Sequence, residues 1–155
     1  MGVGPHLAWP VYSQDDQKKG QVEAKLKHLE LVQGIINRMA SNSFSLKGWS
    51  VILVSALFAL AAASPDARFS LLAYFPALAF WVLDAYFLRQ ERLFRKLYDK
   101  VRTMPYNQVD FSMDTTPYQA EVESWPCTAF SVTLRIFHGI VMLVITLVAV
   151  LSLAA

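Results

Sequence analysis

The chain alternates between long apolar runs and stretches that are dense in charge. Almost no formal charge falls within residues 48–63, 69–88 or 136–155, whereas the segments between them carry most of the charged residues. About 20 helical residues at a rise of 1.5 Å cross a hydrocarbon core of roughly 30 Å. The pattern predicts an all-α membrane protein with three transmembrane helices and cytosolic helical extensions.

The segment 1–43 is predicted to lie in the cytosol. Residues 1–11 contain two prolines and no sustained apolar core, so we expect a loose lead-in rather than a signal peptide. Ser13 and Asp16 have the spacing of a capping box, which would start a helix. The apolar positions that follow have helical spacing: Val22, Leu29, Val32, Ile36 and Met39. This amphipathic helix would pack either against another subunit or against the chain's own basic helix. We expect it to break at residues 41–43, which offer new N-caps.

The segment 44–102 is predicted to form a transmembrane hairpin. The first span runs from Phe44 to Ala63, with Lys47 at its edge. Small residues recur every four positions along it: Ser55, Ala59 and Ala63. Such a row lets a neighbouring helix approach closely, or it could line a pore. A tight turn at residues 64–66 leads into the second span.

The second span, residues 69–88, contains Pro76 near its middle, where we expect a kink. An apolar stripe continues beyond the span: Phe87, Phe94, Leu97, Tyr98 and Val101. The helix should therefore extend into water as a basic segment and end at residues 103–105. An acidic cytosolic loop, 103–127, and a third transmembrane helix, 128–155, complete the predicted order.

The distribution of Lys and Arg predicts the orientation. Six precede or open the first span, six follow the second, and the hairpin turn carries only Arg68. Because positively charged loops stay in the cytoplasm, we expect a cytoplasmic N-terminus. Three spans would then place the C-terminus at the outer face.

Composition agrees with a membrane protein and shows no catalytic pattern. Hydrophobic residues make up 55% of the chain and charged residues 17%, which lies outside the usual soluble range. The single cysteine, Cys127, excludes an intramolecular disulfide. The three histidines lie in three different segments without a carboxylate pair or a phosphate-binding loop, so we expect no enzyme, no metal site and no cofactor.

Asp84 is the most specific single signal in the chain. It lies five residues before Arg89, inside an apolar run, where an Asp at the centre of a span costs about 3 kcal/mol. Its neighbours one helical turn away are apolar, so its partner must come from another helix or from water. Lys47 and Arg135 enter their spans at the same level, with His138 nearby as a hydrogen-bonding residue. The alternative is a ring of carboxylates at the mouth of a pore.

A basic run follows the second span. It comprises Arg89, Arg92, Arg95, Lys96, Lys100 and Arg102. A cluster of this kind next to a membrane attracts anionic lipid headgroups. It could also bind an anionic ligand such as an oligonucleotide.

Several motifs resemble a family of small bacterial membrane proteins. They are Asn37-Arg38-Met39-Ala40-Ser41-Asn42-Ser43-Phe44, Leu46-Lys47-Gly48-Trp49-Ser50, Phe80-Trp81-x-Leu83-Asp84-x-Tyr86, Gln90-Glu91-Arg92-x-x-Arg95-x-Leu97-Tyr98, Phe111-Ser112-Met113 and Thr133-Leu134-x-x-Phe137. Their layout is similar to the membrane effectors of bacterial anti-phage systems, namely SLATT-type proteins and the channel effector of the Hailong system.

This resemblance implies a homo-oligomeric ion channel that opens upon infection and depolarises the cell. It also implies a nucleotidyltransferase partner whose nucleic-acid product, a short DNA oligomer if the protein is Hailong-like, controls the channel. The sequence thus favours a pore-forming effector gated through its cytosolic helices by a nucleotide or nucleic-acid signal. The alternative is a non-conducting membrane scaffold that recruits a cytosolic partner.

Overall fold

The computed structural model describes residues 13–63 and 67–154, so the predictions for residues 1–12 and for the hairpin turn at 64–66 lie outside it. Its elements are α1 (Gln14–Ala63), α2 (Ala67–Leu72), α3 (Tyr74–Thr103), 3-10 helices at Tyr106–Gln108 and Thr116–Glu121, α4 (Trp125–Ala129) and α5 (Val132–Ala154). The described chain is all-helical, as predicted. Three helical units are long and apolar enough to cross a membrane: α1, residues 68–103 and α5.

Helix α1 begins as predicted and continues further than predicted. The Asp16 amide donates to Ser13 Oγ at 3.2 Å, and the Ser13 amide donates to Asp16 Oδ2 at 3.3 Å, which completes the capping box. The expected break at residues 41–43 was wrong, because α1 is continuous over 50 residues. Ser43 is buried and donates its hydroxyl proton to a group on another helix, so it does not cap a new helix.

The break that does occur lies between α2 and α3, at Ala73. A proline ring clashes with the carbonyl four residues earlier and has no N–H to donate to it. For Pro76 that carbonyl belongs to Leu72, the last residue of α2, so the helix stops there. Pro76 lies in the first turn of α3, and Ala73 between the two helices keeps helical dihedral angles (φ −63°, ψ −21°), so the interruption expected at Pro76 lies within the helical unit 68–103.

Helix α3 extends to Thr103, as the apolar stripe predicts, and Met104 and Pro105 follow it in extended conformation. Its charge-rich C-terminal part packs against α1. Val32 and Ile36 of α1 form a buried cluster with Leu97 and Val101 of α3 and with Val109. Of the two interpretations of the amphipathic face, the structure therefore shows packing against the chain's own basic helix.

The segment after α3 folds back along this pair. Lys25 Nζ donates to the carbonyls of Arg102 and Met104, at 3.0 and 2.6 Å, which holds the end of α3 to α1. The loop then returns to the membrane boundary, where the short helix α4 packs on α3. Helix α5 begins at Val132, four residues later than the predicted boundary of the third span.

A second buried cluster lies between the spanning parts of the helices. It comprises Val54, Ala73, Ala77 and Ile145. Small residues at this position allow the helix axes to approach closely.

Candidate functional site

A buried polar cluster joins three helices at the start of the membrane-spanning region. Ser43 and Lys47 lie one turn apart on α1, Asp84 comes from α3, and His138 comes from α5. Lys47 Nζ lies 2.6 Å from Asp84 Oδ2, and His138 Nε2 lies 3.0 Å from the same oxygen. Ser43 Oγ donates to Asp84 Oδ1 at 2.5 Å. The Asp84 carboxylate on α3 thus accepts hydrogen bonds from both other helices of the cluster, α1 and α5.

The Lys47 ammonium also closes the cluster on its own helix. It donates to Ser43 Oγ at 2.9 Å, and it lies 6.0 Å from the centre of the Phe137 ring, within the range of a cation–π contact. Because a carboxylate only accepts, Nε2 of His138 must carry the proton in this hydrogen bond. The Lys47 ammonium and the Asp84 carboxylate contribute one charge of each sign to the cluster.

Asp84 is buried and paired within the single chain. Its side chain is 0% exposed, and its carboxylate faces Lys47 in the protein interior. This arrangement favours the interhelical ion pair over a carboxylate that faces a pore. Among the candidate partners, Arg135 is exposed and forms no ion pair within the described residues.

Trp81 connects the cluster to α4. Its ring stacks on His138, with centroids 5.5 Å apart and an interplanar angle of 7°. Its indole N–H donates to the Ala129 carbonyl at 2.8 Å. The position of the imidazole is therefore fixed on one side by Asp84 and on another by Trp81, which is itself anchored to the segment that precedes α5.

The other candidate residues of the spans lie on the outside of the chain. Ser55, Ala59 and Ala63 are all exposed and make no packing contact with the buried clusters. They belong to a longer outward face of α1 that also carries its three glycines, Gly20, Gly34 and Gly48. A Cβ added at any of these glycines would meet nothing within 4 Å. This face is open along both the cytosolic and the spanning parts of α1.

The basic run on α3 is largely neutralised by the chain itself. Arg92 pairs with Glu123 at 2.5 Å and Lys96 with Glu121 at 3.6 Å, both from the returning loop. Arg95 pairs with Glu91, and Arg102 with Asp99. Arg89 donates Nε–H to the Glu123 carbonyl at 3.2 Å, and within the described part of the chain neither it nor Lys100 forms an ion pair. The acidic loop therefore places a carboxylate beside two of the six basic residues, Arg92 and Lys96.

Residues 13–63 and 67–154 contain no group of three or more His, Cys, Asp or Glu placed to hold a metal ion. Comparison with protein-family models, with curated proteins and with solved structures found no match to this chain. The described residues define an all-helical chain with three helices suited to crossing a membrane. The resemblance to anti-phage membrane effectors remains an expectation from the sequence motifs.

Proposed function

We propose that the chain assembles into a homo-oligomeric ion channel that serves as an effector of bacterial anti-phage defence. The observation that carries this proposal is the outward face of α1. Its small residues are not used within the chain, and its glycines recur every two heptads, at Gly20, Gly34 and Gly48. A helix from a second copy can approach closely along such a face, both in lipid and in water.

Assembly is necessary for conduction, because three spans in one chain can hardly enclose a pore. The charged group within the spans, Asp84, is buried, so the pore would be lined by small and apolar side chains together with Ser55. Ion selectivity would then come from the cytosolic vestibule and the pore diameter rather than from a ring of Asp84 carboxylates.

Gating would act through the returning loop. Glu121 forms an ion pair with Lys96, and Glu123 with Arg92. An anionic ligand such as an oligonucleotide must compete with these glutamates for the two basic side chains. Binding would release the loop from α3. Because the loop leads into α4, this release would alter the position of α4 and its hydrogen bond with Trp81. The nucleotidyltransferase partner and the response to infection rest on the resemblance of the sequence motifs.

The experiment combines subunit counting with conductance. Purified protein in detergent should sediment as an oligomer, and after reconstitution into planar bilayers it should conduct. Ala59→Leu should reduce both the subunit number and the conductance, because a large side chain at this position separates the helices. Leu60→Phe is the control, because it also enlarges an exposed side chain, but Leu60 lies about 100° around the helix from Ala59 and outside the small-residue face. A monomeric wild-type protein, or no conductance with and without oligonucleotide, would overturn the proposal.

The second candidate is a non-conducting scaffold that recruits a cytosolic partner. Burial of Asp84 favours it, since no other charged side chain lies within residues 48–63, 69–88 or 136–154 to attract ions to a pore. An oligomer without conductance, together with unchanged membrane potential in expressing cells, would support the scaffold.

We propose the orientation that the basic residues predict. The segment before the first span and the segment after the second then lie on the cytoplasmic side of the bacterial inner membrane. Cys127 is an exposed natural probe on the loop side. A membrane-impermeant maleimide should label Cys127 in inverted vesicles but not in intact spheroplasts. Ala154→Cys in a Cys127→Ser background should show the opposite pattern, and labelling of both from the same side would contradict three spans.

A further inference from the structure

An apolar groove lies on the membrane side of the polar cluster, between α3 and α4. It has a volume of about 200 Å³ and is lined by Leu78, Trp81, Val82, Trp125, Pro126, Ala129 and Phe130. Every lining side chain is apolar or aromatic. Leu78 and Val82 belong to the spanning part of α3 and are half exposed, so the groove opens toward the hydrocarbon of the bilayer.

The groove leads to an uncompensated positive charge. Arg89 lies seven residues after Val82, on the same face of α3 and about 10 Å further toward the cytosol at helical rise. Its Nε–H bonds to the Glu123 carbonyl, two residues before Trp125 of the groove wall. The Glu123 carboxylate is neutralised by Arg92, and within the described residues Arg89 forms no ion pair. Its guanidinium therefore retains its charge at the level where lipid headgroups lie.

We propose that the groove is a binding site for a phospholipid, with one acyl chain between α3 and α4 and the phosphate at Arg89. The chemistry of the two ends decides the occupant. An all-apolar groove that opens to hydrocarbon fits an alkyl chain, and a guanidinium at its cytosolic end fits a phosphate oxygen. The polar side-chain atoms among the lining residues are the indole nitrogens of Trp81 and Trp125, and that of Trp81 already donates to the Ala129 carbonyl.

The site is coupled to the polar cluster through Trp81. One part of its indole ring lines the groove, while the ring also stacks on His138, the imidazole that bonds to Asp84. An acyl chain bound in the groove would support Trp81 in this position. It would thereby stabilise the contacts of α3 with α4 and α5. This inference stands apart from the proposed channel, because binding is measured without any conductance.

Native mass spectrometry of the full-length protein tests the site directly. The protein is extracted in mild detergent and exchanged with equal amounts of phosphatidylglycerol and phosphatidylcholine. Wild type should retain one phospholipid per protomer. Val82→Phe, which fills the groove from an exposed position, should lower this occupancy at least fivefold. Leu83→Phe is the matched control, since Leu83 is equally exposed but does not line the groove, and its occupancy should stay within twofold of wild type.

The headgroup contact has its own pair of variants. Arg89→Gln should abolish the preference for phosphatidylglycerol over phosphatidylcholine, whereas Lys100→Gln, eleven residues further along α3, should preserve it. Equal lipid retention by wild type and Val82→Phe would overturn the proposal. A change of subunit number with Val82→Phe, without any change in bound lipid, would also overturn it by showing that a second copy fills the groove.

A fluorescence titration keeps the proposal testable if Val82→Phe does not fold. In a Trp9→Phe, Trp49→Phe background, the remaining indoles are Trp81 and Trp125, both in the groove wall. Phosphatidylglycerol with brominated chains, added to the protein in detergent, should quench them with saturation near one lipid per protomer. Quenching that rises without saturation would contradict a defined site.

Discussion

The two halves of the α1–α3 pair, which the sequence predicts to lie in the cytosol and in the membrane, bury different kinds of side chain. In the cytosolic half most of the buried residues are large and apolar: Val32, Ile36, Leu93, Leu97 and Val101. In the membrane half several of them are small: Ser50, Ala77 and Ala85. The outward faces are reversed as well, with charged residues in the first half and Ile52, Phe75 and Leu78 in the second.

The difference follows from the solvent. In water, burial of large apolar side chains stabilises the pair, at about 25 cal/mol per Å². In lipid, exposed apolar side chains cost nothing, so close approach of helices and buried polar contacts take over. The Asp84 cluster lies where packing by large apolar side chains gives way to packing by small and polar ones. It connects α1 and α3 at this point and also includes His138 of α5.

The largest expected effect comes from breaking the polar cluster. Asp84→Leu should destabilise the protein by about 3–5 kcal/mol, because Lys47 and Ser43 would be left without their buried acceptor. The measurement is the free energy of unfolding in mixed micelles. Lys47→Met in the same chain should recover most of the loss.

Asp99→Leu is the control for this change, because it removes a carboxylate whose ion pair with Arg102 is exposed. The Asp99→Leu variant should have nearly the same free energy of unfolding as the wild type. A loss of similar size for both variants would show that the cluster has no special role.

The two halves should respond in opposite ways to changes in side-chain volume. Leu97→Ala in the cytosolic half should cost about 2–5 kcal/mol, because it leaves a cavity in the cluster around Val32 and Ile36. Ala85→Leu in the membrane half should cost about 1–3 kcal/mol, because Ala85 packs on Ala129 and Leu134 without spare room. Both are measured by thermal unfolding in the same detergent.

Exposed positions supply the controls for this comparison. Leu26→Ala in the cytosolic half and Leu78→Ala in the membrane half should leave the midpoint of thermal unfolding almost unchanged, because both side chains are about half exposed. If Ala85→Leu were neutral while Leu97→Ala was not, close packing would not hold the membrane half together.

The smallest effect is expected at the acidic loop. Glu123→Gln removes a half-exposed ion pair with Arg92 and should lower stability by less than about 1 kcal/mol. The difference from wild type should disappear at about 1 M salt, where the screening length falls to roughly 3 Å. A loss that persists in high salt would show that Glu123 supports the fold by contacts other than charge.

Periodicity predicted the fold because each span and each amphipathic face is encoded within one segment. The capping box at Ser13 and the length of α3 are local features, and both were confirmed. The break at residues 41–43 was wrong for a tertiary reason. Ser43 can cap a helix locally, but in the folded chain its hydroxyl bonds to Asp84, 41 residues away, and helicity continues through it.

The cluster was only partly predictable for the same reason. The level of Asp84 in the span pointed to Lys47 or Arg135, but the choice depends on how α1 and α5 are rotated about their axes. Those rotations are set by the packing of Ala77, Val54 and Ile145. The stacking of His138 on Trp81 likewise depends on three helices at once, and no spacing along the chain encodes it.

The continuity of α1 has a mechanical consequence. Its 50 residues form a rod of about 75 Å, and a tilt of about 5° moves one end by about 6 Å relative to the other. Because α1 has no break along its length, a force on its charge-rich end is transmitted to its apolar end without being absorbed by a hinge. If α1 tilts about the ion pair between Lys47 and Asp84, the position of that pair along the helix determines how far each end of α1 moves.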